Sequence, residues 1–106
     1  MNRFGFKGWP LEELIDKAES GSSADVDFIL SNLTGDSNFA MTRYVDFALS
    51  LVTNPEGFER IRHYLFNGTL IQRNYASLYF NRLGERDCVR EAFEKGLIDE
   101  IQAFAR

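Results

Sequence analysis

Apolar residues return every third or fourth position along most of the chain, the spacing that lines one face of a helix. Leu11, Leu14, Ile15 and Ala18 form a first stripe, and Val26, Ile29, Leu30 and Leu33 a second. A third runs from about Phe39 to Val52 through Met41, Tyr44, Val45, Ala48 and Leu51, widened by Phe47 and Leu49. Phe58, Ile61, Tyr64 and Leu65 make the fourth. A fifth, from Thr69 to Leu83, is largely apolar all round, with Gln72 and Asn81 as its polar breaks. Val89, Ala92 and Phe93 make the sixth, and Leu97, Ile98, Ile101, Phe104 and Ala105 the last. Val and Ile are few, and no run alternates with a period of two beyond a few residues. The pattern therefore predicts an all-α fold.

Stop and start signals punctuate these stripes. Gly21, Gly35, Gly68, Gly84 and Gly96 each follow a periodic segment, where a left-handed residue ends a helix at little steric cost. Beyond them stand capping residues: Ser22 or Ser23, Ser37 or Asn38, Asn54 before Pro55, and Thr69 with Gln72 three positions later. The last pair is a capping-box pattern, and proline suits the first position of a helix. Gly96 leaves two options for the final segments: a break, or one helix running through it at a cost of ~1 kcal/mol relative to alanine.

At 106 residues, 44% of them hydrophobic, the chain has the size and composition of one packed domain. Its net charge of −4 is uneven, with four Lys/Arg against nine Asp/Glu in residues 1–56 and eight against seven in 57–106. Neither half carries the basic stripe that phosphate neutralisation requires, so nucleic acid and anionic membranes are not the expected partners. The lone Cys88 cannot close an internal disulfide, which points to a cytoplasmic protein or one indifferent to redox compartment. Residues 1–10 lack the continuous apolar stretch of a secretory signal, and no run approaches the ~20 apolar residues of a membrane helix. The glycosylation-like triplets Asn32-Leu33-Thr34 and Asn67-Gly68-Thr69 are read as chance matches for that reason.

The stripes also repeat. A step of 31 aligns Tyr44 with Tyr75, Val45 with Ala76, Phe47 with Leu78 and Val52 with Leu83. A step of 28 aligns Ile61 with Val89, Tyr64 with Ala92, Leu65 with Phe93 and Gly68 with Gly96. Tandem helix pairs of ~30 residues mark an α-solenoid, in which each unit buries its apolar face on its neighbours. The stretch Ile71-Gln72-Arg73-Asn74-Tyr75-Ala76, continued by Leu83-Gly84-Glu85-Arg86-Asp87-Cys88-Val89-Arg90-Glu91-Ala92, resembles HEAT repeats of the short bacterial, phycobilisome-lyase HEAT-like type. Thr42-Arg43-Tyr44 through Asn54-Pro55-Glu56 resembles a second, looser copy. The likeness covers about residues 38–96, and bulky Tyr75, Tyr79 and Phe80 depart from the Ala and Leu usual in that helix.

The resemblance implies an armadillo-like α-α superhelix of about three antiparallel helix pairs plus a C-terminal helix, used for protein interaction. As a single domain it would comprise an extension at 1–9, a capping pair at 10–35, repeats at 38–67 and 69–96, and a last helix at 97–106. The family also includes bilin lyases, which implies an alternative: a lyase-like or chaperone-like accessory protein holding a cofactor or a cofactor-bearing protein. By the same analogy Arg43 and Arg73 cap or bridge neighbouring turns.

No catalytic constellation stands out. His63 and Cys88 are single instances of their types, and a Cys–His nucleophile also needs a third group to orient the base. One His and one Cys without clustered carboxylates make a poor metal site. Glu12 with Asp16, and Asp25 with Asp27, read as solvated acids near helix starts. The expectation is a non-enzyme with no cofactor, acting as an adaptor or scaffold for a protein or peptide. A base-excision glycosylase, which such folds can support, is disfavoured by the net charge of −4.

Second helices line the inner face of such solenoids. Here their polar sides carry Asp27 and Ser31, then Glu59, Arg62 and His63, then Arg90, Glu91 and Glu94. The last six are the candidate partner-binding residues, with Arg62 and Arg90 in equivalent repeat positions offering guanidinium forks to carboxylates. Ordinary solvated helix faces are the competing reading. Phe4, Phe6 and Trp9 either anchor a partner or fold over the first helix. Leu97, Ile101 and Phe104 give the end of the stack an apolar face, which makes homo-oligomerisation through a terminal helix an expectation to test.

Overall fold

The computed structural model describes residues 10–106, so Phe4, Phe6 and Trp9 lie outside the described residues. Among the described residues there are seven helices and no strand: α1 Pro10–Ser20, α2 Ser23–Ser31, α3 Phe39–Ser50, α4 Pro55–Asn67, α5 Leu70–Leu83, α6 Arg86–Glu94 and α7 Glu100–Phe104. They group into two compact units, one ending at Phe58 and one spanning Glu59–Arg106, with the boundary inside α4.

In the first unit α1 packs against both α2 and α3, and α2 against α3. The stripes of α1 and α2 are buried as their spacing predicts, from Leu11 through Leu33. The stripe of α3 is narrower than its sequence implies. Val45, Ala48, Leu49 and Val52 are buried at i, i+3, i+4 and i+7, whereas Phe47 is 40% exposed. A helix packed along one line can hide only about a third of its surface, so the outer aromatic is left in water.

The turns of this unit are locked together by close approach. Asn54 Nδ2 donates to the Gly21 carbonyl at 3.0 Å, and the Ser23 amide donates to Glu56 Oε2 at 2.7 Å. Gly57 sits beneath this contact, where a Cβ would stand 2.4 Å from Val52 Cγ1 and 2.9 Å from the Gly21 carbonyl oxygen. The start of α4 is thereby fastened to the α1–α2 turn.

In the second unit α5 packs against α6 and α7, and α6 against α7. Ile61 and Leu65 of α4 are buried, as are Ala76, Tyr79 and Phe80 of α5 and Val89 and Ala92 of α6. Gly96, at φ +74°, ends α6 with paired bonds from Gly96 N to Phe93 O and Leu97 N to Ala92 O. That closure is a Schellman motif. The final segments are two helices, α6 and α7, not one. Gly35 and Gly68, read as left-handed stops from sequence, do not have positive φ. At Gly68 the constraint is space, since a Cβ would stand 2.8 Å from the Tyr64 carbonyl oxygen.

One polar stripe of α5 holds the last segment in place. Arg73, Ser77 and Asn81 recur at i, i+4 and i+8. Arg73 Nε donates to the Leu97 carbonyl at 2.7 Å and its Nη1 to the Gly68 carbonyl at 2.9 Å. Ser77 Oγ donates to Gln102 O at 2.9 Å, and Asn81 Nδ2 lies 3.3, 3.1 and 2.8 Å from the carbonyls of Gln102, Ala103 and Ala105. A short helix cannot pair its last carbonyls internally, and the buried side chains of Ser77 and Asn81 do it instead.

Three of the caps read from the sequence form: Ser22 and Asn38 each accept a backbone N–H three residues on, and Thr69 and Gln72 close a reciprocal capping box. Asp99 caps α7 in the same way, which the sequence pattern did not single out. Thr69→Ala removes an acceptor worth ~1 kcal/mol. Urea unfolding should register a loss of about that size, and an unchanged midpoint would mean that water replaces the cap fully.

Candidate binding surface

The candidate residues sit on α4 and α6, and the turn angle of α6 decides which of them meet. At 3.6 residues per turn, Arg86, Arg90 and Phe93 fall on one side of the helix. Glu91 and Lys95 fall on the other, with buried Val89 and Ala92 between the two sides. Glu91 and Lys95 join Glu59, Arg62, His63, Phe66 and Asn67 of α4 around a shallow recess of about 370 Å³.

Charges of both signs line this recess. Lys95 Nζ pairs with Glu91 Oε2 at 2.9 Å. The hydrogen bond and charge of Lys95, with the Arg62 charge in addition, hold the Glu91 carboxyl below the ordinary range. The Phe66 ring has the Arg62 guanidinium and the Lys95 ammonium each 5.3 Å from its centre. Such cation–π contacts are worth ~0.5–1 kcal/mol at exposed sites, which offsets part of the rotamer entropy lost when the two long side chains lie over the ring. His63 meets the Tyr64 ring edge-on at 5.7 Å, and Asn67 Nδ2 donates to the His63 carbonyl at 3.1 Å.

Four of the six sequence candidates, Glu59, Arg62, His63 and Glu91, thus line one recess. Arg90 and Glu94 do not line it. Arg90 instead lines a groove of about 450 Å³ between α6 and α7, and Glu94 is exposed on the outer edge of α6. Arg62 and Arg90, equivalent by repeat position, therefore serve different hollows. Phe66 and Lys95 were missed by sequence reasoning, although each stands one helical turn beyond a residue it contacts, Arg62 and Glu91 respectively. Asp27 and Ser31 belong to α2, in the other unit.

Two of the residues weighed for catalysis have other engagements. The Cys88 thiol donates to the Glu85 carbonyl at 3.6 Å, and burial pushes its pKa up against the lowering charge of Arg62. A reactive thiolate needs the opposite shift. Asp25 is held below the usual carboxylate range, first by the Ser20 hydroxyl and then, against a smaller effect of burial, by Ser22 and Lys17. A proton donor near neutrality needs its pKa raised. Among the described residues no group of three His, Cys, Asp or Glu converges as metal ligands, and no helix is long and apolar enough to cross a membrane.

Comparison of the chain with protein-family models, with curated proteins and with solved structures finds no match.

Proposed function

We propose that this chain is a non-catalytic protein-interaction module of HEAT-like helix pairs stacked as an α-α superhelix, acting as an adaptor or scaffold. The resemblance of residues 38–96 to short HEAT-like repeats motivates the architecture. The packing order within each unit supports it. In the first, α3 packs on both members of the pair α1/α2; in the second, α7 packs on both members of the pair α5/α6. A helix laid on the pair before it is the elementary step of a solenoid.

The observation that carries the functional reading is the Arg62–Phe66–Lys95 cluster over the α4/α6 recess. An aromatic flanked by two cations, with carboxylates and His63 at the rim, offers a partner both an apolar contact and charge-assisted hydrogen bonds. The partner is a protein or peptide that presents a carboxylate to Arg62 or Lys95.

Affinity capture from the native lysate tests this, with Arg62→Glu as the control. A specific partner retained by wild type should bind the variant at least tenfold more weakly, a cost of ~1.4 kcal/mol, while circular dichroism and Tm stay unchanged. Equal capture by both proteins would remove the α4/α6 recess as the binding surface.

A further inference from the structure

We propose that the groove between α6 and α7 is a second binding surface, for an acidic peptide segment that carries a bulky apolar side chain. The inference rests on the interaction-module reading but on a separate set of residues. Arg86, Arg90 and Arg106 line the groove together with Phe93 and Phe104, and no Asp or Glu lines it. In a chain with 16 acidic and 12 basic residues, this is a local reversal of sign.

The groove has an apolar component that water covers poorly. Phe93 is 40% exposed and Phe104 62%. Burying such a ring gains ~25 cal/mol per Å² of apolar surface. Its volume of about 450 Å³ falls within the ~300–1,000 Å³ of clefts that hold small ligands or side chains.

The arginines are placed but not consumed. Arg86 stacks with its guanidinium carbon 5.0 Å from the centre of the Phe104 ring and gives Nη2 to the Ala103 carbonyl at 3.3 Å. An arginine has five N–H donors in a fixed fork, so this contact orients Arg86 and leaves it capacity for a carboxylate. Arg90 pairs at 3.6 Å with Asp87, which is 98% exposed. An exposed ion pair of that kind is weak, and an incoming carboxylate can replace it.

Charge complementarity thus selects the acids, and the two phenylalanines select the apolar side chain between them.

Selection of a random dodecapeptide phage library on the immobilised full chain tests the proposal. The expected consensus has Asp or Glu on either side of Leu, Phe or Trp. The leading peptide, fluorescein-labelled, should lose at least tenfold in affinity for the Arg90→Glu/Arg106→Glu variant and keep its affinity for Arg62→Glu. Changing its Asp and Glu to Asn and Gln should cost a similar factor.

Failure to enrich any peptide, a consensus without acids, or binding indifferent to the double variant would each overturn the proposal. Loss of peptide binding on Arg62→Glu alone would also overturn it while supporting the α4/α6 recess. A wild-type dimer in sedimentation that the double variant dissociates would assign the groove to a second copy of the chain, and the peptide proposal would fall.

Discussion

Replacing Asn81 by Asp should destabilise the protein by about 3 kcal/mol or more at neutral pH, the scale of an uncompensated buried charge. The side chain is 3% exposed, and its Nδ2 faces the carbonyl oxygens of Gln102, Ala103 and Ala105. The amide nitrogen is a donor all three share, while Ser77 Oγ also serves Gln102 and Arg86 Nη2 also serves Ala103. Asp has nearly the same shape, no donor when ionised, and a negative charge set against three acceptor oxygens. Asn81→Leu removes the donor without adding charge, and Gln102 and Ala103 keep Ser77 and Arg86 as donors, so its cost should stay within the ~1–3 kcal/mol of one buried acceptor left without its partner.

The pH dependence separates these two effects. In the folded state the introduced carboxyl is favoured in its neutral form, so its pKa is raised above the unfolded value of ~3.9. The native state then binds more protons than the unfolded state between those two values, and stability falls as pH rises through that window. Acidification toward the ordinary carboxylate range should therefore recover part of the loss in Asn81→Asp relative to Asn81→Leu. Urea unfolding followed by circular dichroism at several pH values measures both. A variant as stable as wild type at neutral pH would mean that α7 is not held by this side chain.

Gly57→Ala should destabilise by about 2 kcal/mol, opposite in sign to the ~1 kcal/mol gain expected for Gly→Ala at an exposed helical position. The added methyl would meet Val52 Cγ1 at 2.4 Å, Asn54 Oδ1 at 2.9 Å and the Gly21 carbonyl oxygen at 2.9 Å. One of these neighbours is backbone, so the α1–α2 turn or α4 itself must shift. Overpacking of this kind costs ~1–3 kcal/mol. The shift also strains the Asn54–Gly21 hydrogen bond, so Gly57→Ala and Asn54→Ala should be non-additive in a double-mutant cycle. An increase in stability for Gly57→Ala would show that the two turns are not packed as described.

Both effects were beyond reach of the linear pattern, and the reason is the same in each. Periodicity reports which face of a helix is hidden, and it located the stripes of α1 and α2, the buried Ile61 and Leu65 of α4, Val89 and Ala92 of α6 though not the exposed Phe93, and the caps at Ser22, Asn38 and Thr69. It does not report what lies opposite a polar residue. Asn81 reads as an interruption in an apolar surface until the carbonyls of α7 are placed against it. Gly57 reads as a weak point near the start of a helix until Gly21 is placed over it.

The same limit applies to the surface. The repeat alignment makes Arg62 and Arg90 equivalent, yet Leu65 is buried and its counterpart Phe93 is 40% exposed, so the two helices do not present the same side. Position in a repeat specified the helix. The neighbour of that helix specified the surface, which is why Phe66 and Lys95 join the recess and Arg90 leaves it.

Amide chemical-shift mapping of the full chain, titrated with the partner recovered by capture, tests the interaction reading most directly. Perturbations should concentrate at Glu59, Arg62, His63, Phe66, Glu91 and Lys95, with α1 and α2 silent. Shifts confined to α1–α3, with those six residues unmoved, would contradict it.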